Sequence, residues 1–135
     1  DPLVPYDGGH VTAFGRKRGA ILSTDETMKR WAGFNGCTAA PTTRPLPDTA
    51  KDDGTRTFVT TWRCASKAGV TLVRVEGGGH AWPGGRQYLG VRLVGRASRD
   101  FEAVPMIFEF FAQHARKPMP REAKSARTKQ VSPGS

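Results

Sequence analysis

The 135-residue chain has no run of about 18 apolar residues, so no segment could cross a bilayer as a helix. Cysteine and histidine are scarce, at two and three, and they are scattered without ligand spacing, so neither a metal site nor a cofactor is implied. The pentapeptide G-x-S-x-G is also missing. The serines are Ser23, Ser66, Ser98, Ser125, Ser132 and Ser135, and none stands between glycines at that spacing. There is no HGGG stretch either, so these residues hold neither a nucleophile elbow nor that form of oxyanion loop. Apolar residues make up only 37% of the chain, whereas 16 glycines and 10 prolines signal many turns.

Basic residues are in excess. The net charge is +9, and residues 116–135 contribute a net +5 of it through Arg116, Lys117, Arg121, Lys124, Arg127 and Lys129 against Glu122. Pro, Ser and Lys dominate this stretch. Such a composition cannot bury enough surface to offset ordering entropy, so a disordered tail is expected after a folded unit spanning 1–115. The tail could attract an anionic surface or simply be solvated. No aromatic residue alternates with its charges, so base stacking has no platform and no nucleic-acid partner is expected.

In the body of the chain, Ser23 and Glu26 have capping-box spacing. Met28, Trp31 and Ala32 follow at i, i+3 and i+4, and Asn35-Gly36 supplies a left-handed stop. This predicts a helix over about 24–34, with Trp31 as a core anchor. Residues 38–56 lack periodicity and read as a surface loop. Thr57–Cys64 is β-branched and aromatic and reads as a strand; a turn at Ala65–Gly69 then leads to a second strand at 70–76. Val104, Ile107, Phe108 and Phe111 predict a helix after Asp100 that packs its stripe on a sheet, with Pro105 in its first turn and His114 closing it.

The second strand runs directly into Glu76-Gly77-Gly78-Gly79-His80-Ala81-Trp82-Pro83-Gly84-Gly85. A histidine set down by glycines after a strand is a candidate general base; the same glycines could also carry it as an ordinary loop residue. The chain opens Asp1-Pro2-Leu3-Val4-Pro5-Tyr6-Asp7-Gly8-Gly9, where each proline holds the residue before it extended. His10 is also flanked by glycines but follows no predicted strand, and it is set aside.

Taken together, D-P-L-V-P-Y and G-G-G-H-A-W-P-G-G resemble a serine-esterase family within the α/β hydrolases. That family includes polyhydroxybutyrate depolymerase-like, feruloyl esterase-like and LpqC-like proteins. The resemblance spans 1–115 and is strongest at 1–9, 31–37 and 71–85. It implies an α/β fold: the C-terminal part of a hydrolase, with helices packed on a partial sheet and a β-hairpin, cut just before the catalytic aspartate, so that the strand positioning it would lie ahead of residue 1. Asp1 would be the acid and His80 the base of a Ser-Asp-His triad, in the acid-then-histidine order of that fold. Trp82 and Tyr6 would contact an ester substrate, either a polyester or a plant cell-wall polysaccharide ester, or Trp82 with Pro83 would simply stiffen the loop.

Cys37, following Asn35-Gly36, and Cys64, ending a strand, form an even pair in loop-adjacent positions. The resembled family often has a cysteine in this N-G-C setting, so a Cys37–Cys64 disulfide is expected, and with it an extracellular or periplasmic location. Without a nucleophile elbow or an oxyanion loop of its own, the chain is expected to be inactive alone. Its alternative reading is a non-catalytic remnant or a module that binds a polymer or an anionic surface.

Overall fold

A computed structural model describes residues 1–13, 15–65 and 68–115; the expected tail at 116–135 and part of the turn at Ala65–Gly69 lie outside these. The elements are β1 (Gly9–Ala13), β2 (Arg16–Ile21), α1 (Thr24–Phe34), β3 (Thr42–Pro45), β4 (Arg56–Trp62), β5 (Val70–Glu76), α2 (Val91–Val94) and α3 (Ala103–His114). β1 and β2 form a two-stranded antiparallel sheet, and β3-β4-β5 a three-stranded antiparallel one.

This architecture overturns the expected α/β-hydrolase arrangement. Among the described residues every strand pair is antiparallel and no parallel sheet lies under helices; the one parallel contact is the isolated bridge between Gly78 and Arg96. The 57–64 strand was expected to have one neighbour, the 70–76 strand of its hairpin. As β4 it is instead the centre of the small one, joined on one side by β3 from the expected loop 38–56 and on the other by β5. Threonines explain the extra strand: Thr42 and Thr43 pair with Thr61 and Thr60, and the Thr43 and Thr60 hydroxyls meet at 2.8 Å. The β1–β2 hairpin was not expected, because glycine and basic residues mask its alternation.

Local chemistry accounts for α1. Ser23 Oγ accepts the Glu26 N–H at 3.1 Å, Asn35 is the C-cap, and Gly36 continues at φ 63°. α1 lies against β5. The buried apolar core is small: Ala32, Val59, Val70, Val94, Ala97 and Ala103. Trp31, expected as an anchor, is 57% exposed, and it meets Phe34 edge-on at 6.4 Å between centroids. The α3 stripe is not packed on the sheet as expected either: Val104, Ile107, Phe108 and Phe111 are all exposed. Helical spacing marks these faces as apolar but says nothing about what covers them.

Cys37 and Cys64 are joined by a disulfide. It ties the segment leaving α1 to the segment leaving β4, whose backbones also form an isolated antiparallel bridge at these two residues.

Candidate active site

The site lies just past the end of β5. Gly77, Gly78 and Gly79 each meet a different restriction there. Gly77 has φ 72° against the Gly54 carbonyl, and a Cβ on Gly78 would stand 2.8 Å from Val75 Cγ1. A Cβ on Gly79 would fall on the Val94 carbonyl and on Gly95, so glycine meets glycine where two backbones touch. The closeness lets Gly79 N–H donate to Arg96 O at 2.8 Å and His80 N–H to Val94 O at 2.5 Å.

After His80 comes a tight turn in which Gly85 N–H donates to Trp82 O at 2.9 Å, with Pro83 second and Gly84 third at φ 78°. That is the type II pattern. It leaves the Trp82 indole exposed two residues from the histidine.

Asp1 reaches the same place from the other end of the sequence. Its Oδ1 accepts Leu3 N–H at 2.8 Å and Val4 N–H at 3.0 Å, a local turn that aims the carboxylate. Its Oδ2 is 2.9 Å from His80 Nδ1, across 79 positions of sequence. An ionised carboxylate can only accept, so Nδ1 carries the proton and Nε2 of the neutral ring keeps a lone pair. Among the described residues Nε2 has no hydrogen-bond partner.

A groove of about 870 Å³ includes Asp1, Tyr6, His80, Trp82 and Pro83 in its lining. All four residues read from the sequence as catalytic or substrate-binding therefore border one space. Tyr6 is less free than expected, since its hydroxyl donates to Asp25 Oδ1 at 3.0 Å. Burial, followed by that bond and the Asp25 charge, raises the phenol above its ordinary value.

Ser98 also borders the groove, but it is 1% exposed and its Oγ lies 2.9 Å from Thr55 Oγ1. Ser23 caps α1. Neither of these two described serines is available as a nucleophile.

Sequence reasoning missed the supports of the histidine loop. Thr55 N–H and Oγ1 and Arg99 N–H all donate to the Asp53 carboxylate, at 2.7, 2.8 and 2.8 Å. Burial opposes ionisation of Asp53, but these donors outweigh it and hold the carboxyl below its ordinary range. The Arg99 guanidinium, 2.6 Å from Asp52, lowers that carboxyl too and is itself raised. The anchored 98–99 segment then receives Gly84 N–H on Ser98 O at 2.8 Å, fixing the turn after His80. The D-D-G-T run at 52–55 is a visible turn signal, but its partner 46 residues away is not.

Comparison with known protein families, curated proteins and solved structures returned no match. Among the described residues no helix is long and apolar enough to cross a membrane, and no group of His, Cys, Asp and Glu could hold a metal ion.

Proposed function

We propose that Asp1 and His80 are the acid and general base of a Ser-His-Asp triad in a secreted carboxylic-ester hydrolase. The observation that carries this reading is the 2.9 Å contact between His80 Nδ1 and Asp1 Oδ2, with Nε2 left unpaired beside an open groove. The serine comes from outside the described residues. Its Oγ attacks the ester carbonyl while Nε2 takes its proton, and the tetrahedral intermediate expels the alcohol, which leaves with that proton. Water then attacks the acyl-serine, gives a proton to Nε2, and the proton returns to the serine as the acid departs. Asp1 stays ionised throughout and stabilises the imidazolium.

The Cys37–Cys64 disulfide favours an extracellular or periplasmic setting. Trp82 and Tyr6 border the groove at the pair and would flank a polyester or polysaccharide ester there.

The test uses the product of the complete reading frame that contains these residues. A fluorophosphonate should label one serine, and Asp1→Asn should lower kcat by about 10⁴, as in a protease triad, with His80→Ala at least as damaging. The 135-residue chain by itself should stay at background with p-nitrophenyl acetate. Near-normal turnover in His80→Ala would overturn the assignment.

A further inference from the structure

The segment 87–97 does more than close the fold behind the histidine. Its Gln87 amide is fully used: Oε1 accepts Ala97 N–H at 2.9 Å, while Nε2 donates to Leu89 O at 2.7 Å and Gly95 O at 2.9 Å. That clamp holds the segment as a closed loop and sets Tyr88 at its edge. The Tyr88 hydroxyl donates to the His80 carbonyl at 2.7 Å. His80 is therefore gripped on both sides by one segment, its N–H by Val94 O and its C=O by Tyr88.

The grip matters because the surrounding backbone is permissive. Three glycines precede His80, and Gly84 stands within the turn that follows it. A shift of the His80 main chain as a whole would carry its Cβ and ring off Asp1, and its side chain is 48% exposed, so packing alone does not hold it. Catalytic groups need to be fixed to a fraction of an ångström. Tyr88 itself is 56% exposed, so its ring contributes little to the core and the hydroxyl's one described bond is to that carbonyl.

We infer that Tyr88 is a positioning residue for the base: its hydroxyl fixes the His80 main chain so that Nδ1 stays on Asp1 and Nε2 stays free. As a role in catalysis this rests on the esterase reading, but the measurement does not. The fraction of neutral His80 carrying its proton on Nδ1 can be read from imidazole ¹⁵N shifts of the 135-residue chain, with Asp1→Asn as the benchmark for a broken pair. Tyr88→Phe keeps the ring and should lower the Nδ1–H to Nε2–H ratio about five- to tenfold, as expected for one lost hydrogen bond. Its melting temperature should fall by no more than the few degrees that one hydrogen bond is worth.

Tyr88→Leu separates ring from hydroxyl. Loss of the ratio in Leu but not in Phe would assign the effect to ring packing and overturn the inference, as would no change in either. An esterase whose turnover ignores His80→Ala would remove the proposed function and leave this measurement standing. An unchanged tautomer ratio in Tyr88→Phe would do the reverse.

Discussion

At the scale of single residues, the histidine loop is shaped more by what cannot be present than by attraction. Gly79 is required because the 94–95 backbone occupies the space of its side chain, and that contact brings the Val94 carbonyl to the His80 N–H. Tyr6 gives this scale a measurable pH dependence. The folded chain raises its phenol, chiefly by burial and then by the bond to Asp25, so it holds that proton more tightly than the unfolded chain does. The resulting stability is fully present below the ordinary phenol value near 10 and is lost as pH rises through the raised value. Tyr6→Phe should cost about 1 kcal/mol near neutrality, the worth of one such bond, and should flatten the alkaline decline in Tm. An unchanged alkaline limb in Tyr6→Phe would assign that decline to other groups.

At the scale of elements, the disulfide is the clearest lever. It closes a loop of 27 positions around β3 and β4, and on the chain-entropy model such a closure stabilises by about 3–4 kcal/mol. The double variant Cys37→Ser, Cys64→Ser should lose stability of that size in urea; a loss below about 1 kcal/mol would mean that the β3–β4–β5 ladder holds this region unaided. The elements legible in the sequence were those whose signals are local. Ser23, Glu26 and Asn35-Gly36 bounded α1 correctly, and β-branched runs marked β4 and β5. β3 was hidden because Thr42–Pro45 is four residues long and makes sense only opposite Thr60 and Thr61. The site was legible in the same partial way: motifs singled out Asp1 and His80, whereas the Tyr88, Gln87 and Asp53 supports depend on contacts between segments that no local pattern encodes. Sheet direction and helix covering are non-local too, and there the expectation of helices on a larger sheet failed.

At the scale of the whole molecule, the imbalance between buried and exposed apolar surface governs behaviour. Among the described residues six apolar side chains are buried, while Phe34 is 83% exposed and Phe108 68%, with Val104, Ile107 and Phe111 on the same stripe of α3. Spacing of i, i+3, i+4 and i+7 makes that stripe one continuous face, and contiguous apolar patches on soluble chains promote association. The 135-residue chain should therefore self-associate with rising concentration and bind a hydrophobic dye while folded. Phe108→Gln with Phe111→Gln should suppress both and shift stability by no more than about 0.5 kcal/mol per site, since exposed side chains support little of the fold. The disulfide and the Asp53 network lie on other elements and should persist in this variant. Sedimentation velocity across a concentration series, paired with urea unfolding, reads both quantities. A loss of several kcal/mol in the double variant would show that the α3 stripe packs against the body of the protein in solution and is not an exposed face.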